Sequence, residues 1–147
     1  MSQASLPPHA HPFRMIDLVL ELEHGVCSTI KAATSDEVVR DERGRGGDYP
    51  FALLLEAMAQ AALPLAQAED EGSERAPNRS PGMIAAIDAA RLLRRVRVGD
   101  RLLITARVTG GLGSLIRVRS VAEIAGAPAG EGIVAEGEFT IAMPETR

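Results

Sequence analysis

Glu56 and Gln60 are the two interruptions in an otherwise apolar run, Phe51 to Ala66 (FALLLEAMAQAALPLA). At helical spacing, residues i and i+4 project from the same side. A carboxylate placed in apolar surroundings is costly unless it is paired, protonated or used. Burial raises a carboxyl pKa, and a carboxylic acid kept protonated is suited to giving a proton to a leaving group. Two plainer readings stay open: Glu56 pairs with a basic group such as Arg14 or Arg91, or it accepts from a neighbouring backbone amide.

The other chemistry-bearing residues are few. His9 and His11 sit two apart in a proline-rich start, SLPPHAHPF, and their imidazoles titrate near physiological pH. Their spacing also suits a pair of metal ligands, but only His24 and scattered carboxylates are left to complete a set, so no metal site is expected. The single cysteine, Cys27, excludes an internal disulfide and reads as a small core residue of a reducing compartment. The glycine-rich stretches GRGG and TGGLG lack the lysine and the strand-to-helix setting of a phosphate loop, and read as loops.

These residues need a scaffold to hold them. Met15–Glu23 and Val26–Thr34 read as two strands joined at His24-Gly25, and residues 35–48 read as a charged, glycine-rich surface loop. The apolar run follows as a helix, with Asp48 suited to capping it and Pro50 to its first turn. Apolar residues on every side mark a helix buried all round, and Pro64 should kink it or end its regular part. Residues 69–82 read as a mobile polar loop. Four strands complete the chain: Met83–Ala89, Arg101–Thr109, Leu115–Ile124 and Ile133–Met143, with Gly110–Gly113 and Gly126–Gly130 as hairpin connections.

A helix with no wet side needs a sheet curled around it. The expected fold is therefore α+β: an antiparallel sheet wrapped around one long buried central helix, the hot-dog arrangement. It forms a single domain over residues 1–147, with 1–13 as an extended N-terminal arm. Such a sheet leaves an edge strand open, and pairing the edges of two copies closes it, so a homodimer is the expected minimum unit.

Composition excludes several function classes. Four aromatics, none of them tryptophan, give no stacking platform for single-stranded nucleic acid. A formal net charge of −4 gives no global pull toward nucleic acid or anionic membrane. The start of the chain lacks a signal peptide's basic and apolar regions, and the apolar run is too short to span a bilayer. A cytoplasmic protein is expected.

Three segments, in order, resemble the FabZ-type 3-hydroxyacyl-(acyl carrier protein) dehydratases. Residues 8–17 (PHAHPFRMID) are similar to that family's PHRxPFLxVD. Residues 55–60 (LEAMAQ) match its central-helix motif. Residues 87–100 (IDAARLLRRVRVGD) are similar to its IDxARFRRPVxPGD. The resemblance spans roughly residues 6–143 and implies a hot-dog dimer with acyl tunnels at the subunit interface. It also implies a lyase that eliminates water from an acyl thioester carried by acyl carrier protein or CoA, in fatty-acid or related biosynthesis, with no cofactor. On this resemblance Glu56 helps expel the 3-hydroxyl as water, and Gln60 orients it.

The family's general base is a histidine just before the central helix. Here that region reads DERGRGGDYPFA (residues 41–52), and Glu42 stands at the histidine's place. His9 and His11, on the arm, are the candidates left for the base; equally, each is a residue packed on a turn and bonded to backbone. Backbone N–H groups of Phe51 and Ala52 at the helix start are placed to hold an oxyanion. Arg91, Arg94, Arg95 and Arg97 form a basic cluster that is either a solvated face or, as in the family, a dock for an acidic carrier protein. Two other readings are a hot-dog thioesterase, with the helix carboxylate activating water, and a non-catalytic acyl-binding or dimerisation partner that lacks the base.

Overall fold

Period-two alternation in the second half of the chain builds the sheet. Leu102, Ile104 and Ala106 face inward on one strand, and Ile116, Val118, Ser120 and Ala122 on the next, with exposed arginines alternating between them. In the computed structural model, residues 13–38, 40, 42–44, 46–68 and 82–143 are described. His9, His11 and nearly all of the 69–82 loop lie outside the described residues. The elements are β1 (Leu18–Glu23), β2 (Val26–Ala32), a 3-10 turn (Ser35–Glu37), α1 (Phe51–Ala68), β3 (Met83–Leu92), β4 (Arg101–Leu112), β5 (Leu115–Ile124) and β6 (Ile133–Ala142).

The six strands form one antiparallel sheet in the order β1-β2-β4-β5-β6-β3, with α1 against its inner face. This is the sheet-wrapped helix expected from the pattern. Small side chains let the two layers approach. Ala57, Ala61, Ala62 and Ala66 line α1, and the Ser120 hydroxyl of β5 donates to the Met58 carbonyl at 3.2 Å. Gly137 of β6 is required by the same closeness, since a Cβ there would lie 2.8 Å from the Phe139 ring and 3.4 Å from the Met58 methyl. Phe139, with no exposed surface, fills the middle.

The structure differs from the sequence expectations at several points. α1 runs through Pro64 to Ala68 rather than ending there. Gly110, Gly111 and Leu112 belong to β4, and the hairpin turns at Gly113-Ser114 instead; the irregularity lies in the register shift between Val108 and Gly110. β1 begins at Leu18, because Met15 and Ile16 are buried against α1 instead of pairing. Most consequentially, α1 is not buried all round. Residues 57–66 are, but Ala52 and Glu56, one turn apart, are both exposed.

The two sheet edges are β1 and β3. β3 offers its outer edge with little to blunt it: Met83, Ile87 and Leu92 are exposed along it, and Asp88 and Arg91 are its only charges.

Candidate active site

The open strip at the start of α1 collects the candidate groups. Pro50 begins the first turn: its carbonyl accepts from the N–H groups of Leu53 and Leu54 at 3.1 and 3.2 Å. The N–H groups of Phe51 and Ala52 come before the helix can supply internal acceptors, so they are the donors a helix start leaves open. Asp48 does not serve as the expected cap in its side chain's main contact; its carboxylate pairs with Arg95 at 3.0 Å. Ala52 and Glu56 share a face, separated by about 6 Å of helix rise. The exposed side of Ala52 and Glu56 thus begins at the end of the helix where the first-turn amides lie.

Gln60 holds this side together. It is 1% exposed, and its carboxamide is used on every side. Nε2 donates to Glu56 Oε1 at 2.7 Å and to the Phe13 carbonyl at 2.6 Å, while Oε1 accepts the Met15 N–H at 2.8 Å. The pairing of Gln60 with Glu56 follows from their helical spacing. The link from Gln60 to the backbone of residues 13–15 could not be read from the sequence, because a side-chain amide can accept any of many partners. Its effect is to fasten the end of the N-terminal arm beside Glu56.

Glu56 is exposed in the single chain, so the burial expected of it is absent. It does not pair with Arg91, which lies on β3 and pairs with Glu136 at 2.7 Å. Glu136 also meets Arg119 at 3.2 Å, and these bonds, Arg91's first, hold its carboxyl below the usual carboxylate range. The remaining arginines of the basic cluster are engaged differently. Arg94 donates to the Glu131 carbonyl at 3.0 Å, Arg95 pairs with Asp48, and the Arg97 N–H donates to Asp100 at 2.8 Å. The cluster is therefore divided: Arg91 belongs to the sheet surface, and Arg95 reaches the start of α1.

Cys27 is buried without exposed surface, and burial, reinforced by the charge of Glu21, pushes its thiol up to about 12. It stays protonated and unreactive at neutral pH. Among the described residues, no group of three or more histidine, cysteine, aspartate or glutamate side chains is arranged to hold a metal. No helix among them is long and apolar enough to cross a membrane. His24, the one described histidine, is exposed at the β1–β2 turn.

No family model matches the chain. Known proteins do. It is 31% identical over 142 residues to the 3-hydroxyacyl-[acyl-carrier-protein] dehydratase FabZ of Caldanaerobacter subterraneus subsp. tengcongensis, covering 94% of this chain and 92% of that protein. It is also 31% identical over 144 residues to the same enzyme of Bacillus cereus, covering 95% and 92%. Among solved structures, the dehydratase heterocomplex ApeI:P of Xenorhabdus doucetiae aligns with a TM-score of 0.74 at 16% identity, covering 96% of this chain and 90% of that one. A hypothetical thioesterase of Streptococcus pneumoniae aligns with a TM-score of 0.65 at 12% identity, covering 87% and 90%. The structural matches establish the hot-dog fold, and the sequence matches, running nearly end to end, establish that the chain belongs to the FabZ family of 3-hydroxyacyl-[acyl-carrier-protein] dehydratases.

Proposed function

We propose that the protein dehydrates 3-hydroxyacyl thioesters to 2-enoyl thioesters, with Glu56 as the proton donor to the departing hydroxyl. The observation that carries this reading is the Gln60 junction, which steadies Glu56 on the open face of α1, one turn after Ala52. A base removes the proton alpha to the thioester carbonyl, and the carbonyl oxygen gains charge held by the N–H groups of Phe51 and Ala52. The C3–O bond then breaks, and the Glu56 carboxyl gives its proton to the leaving hydroxyl, releasing water. Solvent exchange restores the two proton carriers.

His9 or His11 supplies the base in this scheme. The support is connectivity: the Phe13 carbonyl is bonded to Gln60, and the two residues back to His11 span at most about 7 Å, the four back to His9 about 14 Å. The protein acts as a homodimer joined along β3, whose open apolar edge is what pairing would cover, and the partner then encloses the exposed face of Glu56. The acyl chain arrives on an acyl carrier protein or on CoA in the cytoplasm. Arg94, Arg95, which reaches the start of α1 through Asp48, and Arg97 meet the carrier's acidic surface, and Arg91 contributes less because Glu136 already neutralises it.

The test is interconversion of a 3-hydroxyacyl-carrier-protein and its 2-enoyl counterpart, followed by mass spectrometry beside the Glu56→Gln variant. The reading requires interconversion that collapses in the variant, after which His9→Ala and His11→Ala identify the base. Release of free acid and thiol would make the protein a thioesterase. Return of both substrates untouched across several chain lengths would leave a binding role.

A further inference from the structure

The buried polar cluster around Lys31 has no part in the scheme above. Lys31 faces inward on β2, where Cys27 and Thr29 precede it in the same alternation, and its side chain is only 4% exposed. Its ammonium donates to both carboxylate oxygens of Glu37, at 2.7 and 2.8 Å. Glu37 is held further by the Thr34 N–H at 3.2 Å and the Thr34 hydroxyl at 2.9 Å. The same ammonium lies 5.8 Å from the centre of the Tyr49 ring, which is 4% exposed and whose N–H donates to the Val96 carbonyl at 2.8 Å. The Tyr49 hydroxyl makes no well-formed hydrogen bond among the described residues, but it lies near Glu37, and burial followed by that carboxylate's charge pushes its pKa up.

Between Glu37 and Tyr49 lies the charged, glycine-rich segment 38–48, with glycines at 44, 46 and 47. Such a segment does not define its own course. Among its described residues the pairing is a single isolated bridge, Arg40 to Gly46. One cation therefore touches both ends of the segment: Glu37, where the chain leaves the sheet, and Tyr49, where it returns one residue before Pro50 and the first turn of α1. A buried ion pair adds little net stability, because desolvation offsets most of the attraction. What it does supply is a fixed distance between the groups it joins.

We infer that Lys31 is a positioning residue: by clamping Glu37 and the Tyr49 ring to one point of β2, it fixes where α1 begins, and with it the amides of Phe51 and Ala52. The catalytic consequence rests on the dehydratase reading; the structural consequence does not.

The experiment uses the full chain with Lys31→Met and Glu37→Leu together, which removes the pair without stranding a charge. Backbone hydrogen exchange, read by mass spectrometry on peptides covering 38–52, should accelerate at least tenfold over the parent while β4, β5 and β6 stay unchanged. With a carrier-bound substrate, kcat should fall at least tenfold while KM changes less than twofold, the split expected when the donors to a transition state move but the substrate's binding surface does not. Glu37→Gln, which keeps the side-chain shape, serves if the double variant does not fold; the same changes in smaller degree are expected. Exchange at 38–52 equal to the parent's overturns the inference, and so does accelerated exchange with undiminished kcat. A parent without turnover refutes the dehydratase reading instead and leaves the exchange result to decide the positioning role.

Discussion

Glu37 and Glu56 are carboxylates on either side of one loop, and the fold treats them in opposite ways. Glu37 accepts four hydrogen bonds, two from Lys31 and two from Thr34. Glu56 accepts one among the described residues, from Gln60, and otherwise faces outward. A carboxylate with its lone pairs committed has little left for a substrate, whereas one steadied by a single amide keeps an oxygen free to carry a proton. The difference teaches where to look for chemistry: in the incompletely satisfied group on a rigid element. It also assigns different roles: proton transfer to Glu56, and to Glu37 the placement of the segment that leads into α1.

The largest expected effect falls on turnover. Glu56→Gln keeps the acceptor for Gln60 but removes the proton, and loss of a positioned acid costs about 10²–10⁴-fold in rate. Because Glu56 is exposed, the urea midpoint should stay within error of the parent's. A variant that loses activity only by unfolding would erase the contrast with Glu37.

Next comes stability at the other carboxylate. Lys31→Met alone strands Glu37 in a mostly buried place, and breaking such a pair costs about 3 kcal/mol, at the low end of the usual range because Glu37 keeps 16% of its surface exposed. Urea unfolding measures it. Adding Glu37→Leu should restore most of the loss, because the second change removes the uncompensated charge. Failure to restore it would mean that Lys31 stabilises the fold through something other than this pair.

Gln60→Leu tests the link between the two roles. It leaves the Phe13 carbonyl and the Met15 N–H without partners and frees Glu56. A buried group left unpaired costs about 1–3 kcal/mol, so a lowered urea midpoint together with reduced kcat is expected. Loss of kcat with no change in midpoint would show that the arm is held by other contacts.

The sequence makes part of this contrast legible. The unbroken apolar run marked α1, and the two-residue period marked the strands, including β5 to the residue, because that alternation records which side faces a core. The side on which Lys31 lies could not be read this way, because apolar Val26 and Ile30 alternate with Cys27, Thr29 and Lys31, a pattern that would place the lysine outside. Nor could its convergence with Tyr49, since nothing local encodes a contact across residues 38–48. The exposure of Glu56 is not legible, because an apolar neighbourhood in sequence does not say which side of the helix the sheet leaves uncovered. Gly110 and Gly111 read as turn residues, yet they belong in β4, where a Cβ on Gly111 would meet the Leu115 carbonyl at 3.0 Å. Backbone proximity requires glycine there as firmly as a turn would.

The smallest effect is the pH dependence that Glu37 should impose. Burial alone would raise its carboxyl pKa, but the bonds from Lys31 and Thr34 outweigh burial and hold it below the usual 4.5. A folded-state pKa below the unfolded one means stability that is present above about pH 4.5 and lost as pH falls through the folded value. Urea midpoints taken from pH 6 down to pH 3 should therefore decline more steeply in the parent than in Glu37→Gln. Glu136 is also held low, chiefly by Arg91, but on the exposed face of the sheet, where salt screens the attraction. Repeating the series in about 0.5 M salt removes the Glu136 contribution and leaves that of Glu37, because a part-buried pair is screened much less. An acid decline that vanishes in salt would put Glu37 on the surface in effect, and the division of labour between the two carboxylates would no longer rest on burial.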